Sequence, residues 1–129
     1  MKEGKAVDLE LFFAALADRT RLRLLNLMQD GEVCVCFFAE TLGTNNPKIS
    51  RHLAYLKRAG LVTGRRDGKW MHYRICKPRE PALATVLARI FEVFTIDSQM
   101  FADRERLVDI CCPSPKLVGI ERREPEVER

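Results

Sequence analysis

The sequence predicts a mainly α domain carrying one β-hairpin, and three observations lead there. Apolar residues recur at helical spacing early in the chain, at Leu9, Phe12, Phe13 and Leu16 and again at Leu22, Leu24, Leu25, Leu27 and Met28, as in helices with one buried face. The stretch NPKISRHLAYLKRAG is punctuated as a helix, with Asn46 as N-cap, Pro47 at the first helical position and Gly60 just past the end. LVTGRRDGKWMHYRI then changes rhythm: two apolar and cationic runs flank Asp67-Gly68, a dipeptide suited to a two-residue hairpin turn.

Taken in order, the first helix covers Val7 to Ala17. Asp18 is placed to N-cap a second, which Gly31 ends, and a short third helix runs from about Val35 to Leu42 before Gly43. The tight GTNN connection joins it to the fourth helix, so the two form a helix-turn-helix. In that fourth helix Ile49, Leu53 and Leu56 mark the buried stripe, while Lys48, Arg51, His52 and Tyr55 line a cationic, hydrogen-bonding face. A hairpin directly after such a helix is a wing, with Arg65, Arg66 and Lys69 at its tip and Trp70 and Tyr73 expected in its core.

After KPREP, residues 82 to about 110 return to helical spacing with Leu83, Val86, Leu87, Ile90 and Phe94. That stripe is longer than a small domain's last helix needs, and we assign it, with Leu9 and Phe12, to pairing with a second copy. The expected architecture is a winged helix-turn-helix, homodimeric through its terminal helices. Residues 1–112 form the DNA-binding and dimerisation domain, and 113–129, rich in proline and charge, a loosely ordered tail.

Charge is distributed unevenly. Between Asn45 and Arg79 there are ten basic residues and one acid, Asp67, a net +9, whereas the remainder of the chain is acidic by five. The helix-turn-helix and wing own the positive field, the footprint of a polyanion partner. The first ten residues, MKEGKAVDLE, lack an apolar core for export, and no stretch approaches a membrane span. The protein is therefore expected in the cytoplasm, with no membrane partner. An enzyme is disfavoured: there is no phosphate-binding glycine loop, both histidines lie in the basic segment, and no nucleophile has an evident base partner.

Five cysteines in a chain with no export signal argue for thiols that bind or react. Cys34 and Cys36, one residue apart in EVCVCFFAETL, precede the first turn of a helix. A regular helix would turn them about 200° apart, so the pair can hold one soft ion only from an extended or distorted segment.

ALADRTRLRLLNLM, CVC, PKISRHLAYLKRAGLV and RRDGKWMHYRI, in that order over roughly Leu9 to Ile75, closely resemble the ArsR/SmtB family of winged-helix metalloregulators, most closely its arsenical-responsive repressors. The resemblance implies a homodimeric repressor that sits on double-stranded operator DNA with an inverted repeat and leaves it when a thiophilic metal or metalloid binds. Carried over by position, Lys48, Ser50, Arg51 and His52 face the major groove, with Asn46 and Tyr55 on the same helix and Arg65, Arg66 and Lys69 toward phosphates. Arg51 is the first choice for a base edge, since its planar fork can donate two bonds to guanine. His52 has a second reading as a buried, hydrogen-bonded histidine, and Tyr55 as packing beside the wing.

The sensor departs from the family pattern. Arsenical repressors of this type often place a third cysteine three residues after CVC, completing the trigonal thiolate set that As(III) prefers, but position 39 is Ala. The adjacent Cys111 and Cys112 are the favoured donors, to this site or to a second two-thiol site, with an accident in a loose tail as the bland reading. Cys76 is assigned as a small buried hydrophobe. The zinc-responsive branch uses His and carboxylates on the last helix, where this sequence has no His, and Cd²⁺ or Pb²⁺ sensors add cysteines ahead of CVC. Thiolates without imidazole leave As(III) or Sb(III) as the inducer, with no organic cofactor. The alternatives are a Cd/Pb-responsive repressor of the same family and a thiol-based redox-responsive repressor.

Overall fold

In a computed structural model, described here for residues 8–111, the chain folds as α1 (Leu9–Leu16), α2 (Arg19–Leu27), β1 (Val33–Cys34), α3 (Val35–Leu42), α4 (Asn46–Arg58), β2 (Val62–Asp67), β3 (Trp70–Ile75), α5 (Pro81–Val93), a 3₁₀ turn (Phe94–Ile96) and α6 (Ser98–Cys111). Helices α3 and α4 are the helix-turn-helix and β2–β3 the wing, in the expected order. No helix among the described residues is long and apolar enough to cross a membrane.

The helices begin where short polar side chains accept the orphan backbone donors of a first turn. Asp8 accepts from the Leu11 N–H at 2.9 Å and Asp18 from the Arg21 N–H at 3.0 Å. In α4 the cap is Asn45, not Asn46, its carbonyl oxygen 3.0 Å from the Lys48 N–H, so Asn46 is the first helical residue and Pro47 follows it. Helix α3 has no side-chain cap: Cys34, in extended conformation, is its N-cap. At its other end Gly43 takes the left-handed conformation, φ +71°, that starts the tight turn into α4.

The core is assembled from one stripe of each helix. Phe38 of α3, Leu24 and Leu25 of α2, and Ile49, Leu53 and Leu56 of α4 are all fully enclosed, each contributing about 1.5–3 kcal/mol of apolar burial. The three-stranded sheet has the order β1–β3–β2, both pairings antiparallel. Asp67 pairs with Trp70, which makes Gly68-Lys69 the two-residue loop, one step later than Asp67-Gly68; Gly68, at φ +63°, occupies the position that needs positive φ. Met71, Tyr73 and Ile75 face the core, and Tyr73 lies so close to Gly64 that a Cβ there would meet its ring at 2.9 Å. Trp70 has the opposite parity and is half-exposed at the wing tip, which corrects its placement in the hairpin core.

The expected single helix from 82 to about 110 is two helices. Asp97 breaks it: in extended conformation, its carboxylate accepts the Met100 N–H at 3.1 Å and receives both terminal nitrogens of Arg19 at 2.8 Å. Those bonds hold its carboxyl well below the usual range, at about 2, the Arg19 pairing foremost. Beyond this corner α6 folds back over α2 and α3. Asn26 donates to the Met100 carbonyl at 2.9 Å, Arg23 grips Asp103 at 2.7 and 2.9 Å, and Arg106 donates to the Thr41 and Glu40 carbonyls at the end of α3, both at 3.1 Å.

The α5 stripe is nonetheless packed within its own chain. Leu87 and Phe94, like Phe12 of α1, are at most 6% exposed and belong to the protomer's core, while Leu83 and Ile90 are partly buried against it. The expectation of a stripe left wholly for a second copy is corrected accordingly. Among the described residues, the large apolar side chains that face outward, besides Trp70, are Leu9, Phe13, Val93, Ile96, Phe101 and Val108.

The Arg23–Asp103 pair anchors α6 from a nearly closed position, the Asp103 side chain being 4% exposed. Removing one partner strands the other charge, so Arg23→Met should cost about 3 kcal/mol in urea unfolding. The double variant Arg23→Met, Asp103→Leu should recover most of that loss. Equal losses in single and double variants would contradict this account.

Candidate nucleic-acid interface and thiol pair

The outward face of α4 is set by the stripe that buries its other side. With Ile49, Leu53 and Leu56 enclosed, Asn46, Lys48, Ser50 and Arg51 stand exposed, and His52 and Tyr55 lie at the rim, half-buried. Both rim residues are held by Arg21 of α2, a residue sequence reasoning did not single out. Its guanidinium donates to the Ala14 and Ala15 carbonyls at 3.0 and 2.8 Å, lies 3.3 Å from His52 Nδ1 and covers the Tyr55 ring at 4.0 Å from its centroid. Arg58 covers the same ring at 4.9 Å. Because a guanidinium cannot accept, Nδ1 of His52 is the acceptor in this contact and Nε2–H is left as the ring's donor. The cleft between α2 and α4, about 380 Å³, is lined by Arg21, Arg23, Lys48, Arg51, His52 and Tyr55 among others, so its wall is cationic.

The three basic residues of the wing divide. Arg66 and Lys69 are exposed near the turn, Lys69 Nζ lying 5.2 Å from the centroid of Trp70. Arg65 instead forms a bidentate pair with Glu32, at 2.9 and 2.6 Å, tying the outer strand of the wing to the segment before β1. The Arg65 hydrogen bond holds the Glu32 carboxyl below its ordinary range. Arg65 is therefore already partnered, a contact invisible in the sequence because 33 positions separate the two.

Cys34 and Cys36 straddle a junction. Cys34 is buried in β1, opposite His72 of the wing's middle strand, and Cys36 is the second residue of α3. The change from extended to helical backbone between them brings the sulfurs to 3.3 Å, both thiols free, as simultaneous ligation of one ion requires. Burial pushes the Cys36 thiol up, with the hydrogen bond and charge of Cys34 adding to it.

No three His, Cys, Asp or Glu side chains among the described residues stand together as a metal site. Ala39 is enclosed in the core, so the sequence offers no sulfur there. Cys76 is partly buried just after β3, its N–H bonded to the Leu61 carbonyl at 2.8 Å. Cys111 is exposed at the end of α6, lining a cleft that also reaches Val33, next to Cys34. Cys112 and the tail from 113 to 129 lie outside the described residues.

With its pKa raised above the ordinary 9.0, Cys36 carries little thiolate at neutral pH. Its alkylation by iodoacetamide should be slower than that of an unperturbed thiol and should climb about tenfold per pH unit to beyond that value. Cys34→Ser should lower the midpoint only in part, because burial remains. Site-resolved mass spectrometry checks this, and a Cys36 titrating below the ordinary thiol range would reject it.

Residues 18–63 match the family model described as bacterial regulatory protein, arsR family. The arsenical resistance operon repressor of Escherichia coli (strain K12) is 49% identical over 73 residues, covering 56% of this chain and 62% of that protein. The chain thus spans about three-fifths of that relative's length. The arsenic resistance transcriptional regulator ArsR2 of Pseudomonas putida is 39% identical over 93 residues, covering 70% of this chain and 77% of the relative. Among solved structures, the homodimeric winged helix-turn-helix DNA-binding domain of Mb0332 from Mycobacterium bovis aligns with a TM-score of 0.54 at 33% identity, covering 70% of this chain and 77% of that one.

Proposed function

Because the chain belongs to the arsR family of bacterial regulatory proteins, and is thus a DNA-binding transcriptional regulator, we propose that it is a cytoplasmic homodimeric repressor. It holds an inverted-repeat operator and releases it when its cysteine thiolates capture trivalent arsenic or antimony. The observation that carries this reading is the Cys34–Cys36 sulfur pair, 3.3 Å apart at the point where the wing's sheet becomes the supporting helix of the helix-turn-helix.

The α4 face does the reading of DNA. Lys48, Ser50 and Arg51 are exposed along it, Arg51 for a base edge, while His52 and Tyr55 are set at its rim by Arg21. Arg66 and Lys69 serve phosphates beside the groove, whereas Arg65, held by Glu32, contributes mainly to the wing's attachment. A second copy covers the outward apolar residues of α1 and of the α5–α6 corner: Leu9 keeps its assigned place, joined by Phe13, Val93 and Phe101. The homodimeric state of the Mycobacterium bovis neighbour supports this.

In the sensor Cys34 and Cys36 supply two thiolates, and Cys111 or Cys112 the third that trivalent arsenic takes. The ion contributes strong affinity for thiolate sulfur; the protein converts it into motion. Holding both sulfurs as ligands, rather than as a hydrogen-bonded pair, reshapes the β1–α3 junction. Cys34 pairs with His72 in the wing, and α3 leads through Gly43 into α4, so both DNA-facing elements feel the change. The ion acts by binding the DNA-incompetent arrangement more tightly, a coupling of about 1–3 kcal/mol or more.

Cys34→Ser and Cys36→Ser should each still bind DNA but no longer release it on arsenite, whereas Cys76→Ser should respond like the unaltered protein. Loss of response in Cys111→Ser or Cys112→Ser identifies the third donor. If both CVC variants still respond and only the tail variants fail, the sensor lies at the end of α6 and this assignment is wrong.

On DNA, Arg51→Ala should lose about 1–3 kcal/mol of discrimination between operator and random duplex, while Arg66→Ala weakens both alike. A Val93→Glu, Phe101→Glu variant should sediment as a monomer and lose the two-half-site footprint. Unchanged discrimination in the first variant, or a persistent dimer in the last, would remove the corresponding role.

A further inference from the structure

Trp70 is the only tryptophan of the chain, and it is left half-exposed at the tip of the most cationic segment. Its neighbours in the hairpin point elsewhere: Met71, Tyr73 and Ile75 pack on the core, while Trp70 shares the outer face with His72 and Arg74. The ring carries Lys69 Nζ at 5.2 Å, and exposed Arg66 stands one residue before the turn strand's end. Asp67, directly across the ladder from Trp70, is the one carboxylate at the tip, and it lies 3.9 Å from Arg65, which screens it. The tip thus combines an exposed indole with the Lys69 cation beside it on a two-residue turn, while Arg66, whose cross-strand partner is Met71, stands exposed on the other face of the hairpin.

We propose that Trp70 is a DNA-contact residue, its indole lying against the deoxyribose wall of the groove beside the site read by α4 while Lys69, over its ring, reaches a flanking phosphate. The proposal rests on the DNA-binding reading. A duplex backbone fits this surface because it alternates apolar sugar faces with anionic phosphates, which an aromatic ring and the cation beside it can engage together. Such a contact carries no base information and adds affinity to every sequence. Its apolar part displaces no counterions, so it raises binding without steepening the salt dependence, unlike a lysine or arginine contact.

A short random-sequence duplex at low salt is the probe, because the contact is independent of sequence. Binding is followed by anisotropy of labelled duplex, and Trp70 by its own emission, excited at the red edge where tyrosine does not absorb. In the complex, Trp70 emission should change and its quenching by acrylamide should fall about twofold or more. Trp70→Ala should weaken binding about fivefold to twentyfold with an unchanged salt slope, Trp70→Phe should retain part of the affinity, and Arg66→Ala should lower the slope by about one. Unchanged thermal unfolding of Trp70→Ala would confirm that the ring serves no core.

Trp70 equally quenchable in a saturated complex, together with unchanged affinity of Trp70→Ala, overturns the proposal while leaving DNA binding intact. Quenching protection that rises with protein concentration in the absence of DNA places the ring in a contact between copies and overturns it as well. Absence of any anisotropy change with the unaltered protein overturns the DNA-binding reading itself.

Discussion

Arg21 holds together the rim of the α4 face that carries the exposed basic residues. Its side chain is only 11% exposed, and from α2 it reaches two other elements: the last carbonyls of α1 and the histidine and tyrosine of α4. Of the carbonyls it reaches at the end of α1, Ala14 also accepts the Ala17 N–H at 3.1 Å, whereas Ala15 is met by Arg21 beyond the last donors of its helix. One cation therefore satisfies the end of α1 and fixes the rim of α4. Its charge is not fully cancelled, since Asp18 approaches only to 3.9 Å, so the same group that orders the interface also adds to its positive field.

A second constraint acts on α3. At its N-terminus the helix begins without a capping side chain, at Cys34, and at its C-terminus Arg106 donates to the Glu40 and Thr41 carbonyls. The end that lacks a cap is the end where the two sulfurs meet. Helix starts are normally stabilised by about 1 kcal/mol through an Asn, Asp, Ser or Thr cap; leaving that out makes the β1–α3 junction the less firmly held end. The fully enclosed Phe38 and the Arg106 contacts keep the rest of the helix in place, so distortion is concentrated at the junction rather than spread along α3.

Much of this was legible in the sequence, and the exceptions have physical reasons. The boundaries of α3 and the buried stripe of α4 followed from apolar spacing and glycine punctuation, because those signals are local. Asn45 and Asn46 are equally good caps by residue type, and only the bond to the Lys48 N–H separates them. The break at Asp97 was hidden because Phe94 keeps the phase of Leu83, Leu87 and Ile90, so a broken helix reads as a continuous stripe. Arg21, Glu32 and Arg106 act through partners distant in sequence, and an arginine on a helix reads as solvated until its partner is located. Trp70 is different: strand parity sets it with His72 and Arg74 and against Met71 and Tyr73, and residue type was allowed to outweigh that alternation.

The position of the thiols also determines what kind of signal they can send. A pair on one regular helix would have to unwind it before both sulfurs could reach an ion. Cys34 and Cys36 need no unwinding, because the backbone between them already changes from extended to helical. The raised pKa of Cys36 keeps that thiol protonated at neutral pH, so under the proposed sensing a ligand to its sulfur must expel a proton. Cys34 pairs with His72 of β3 while Cys36 belongs to α3, so the two sulfurs sit on the wing's sheet and on the helix-turn-helix respectively. Under the proposed function duplex DNA engages both at once, so a change in that relation alters affinity without unfolding either element.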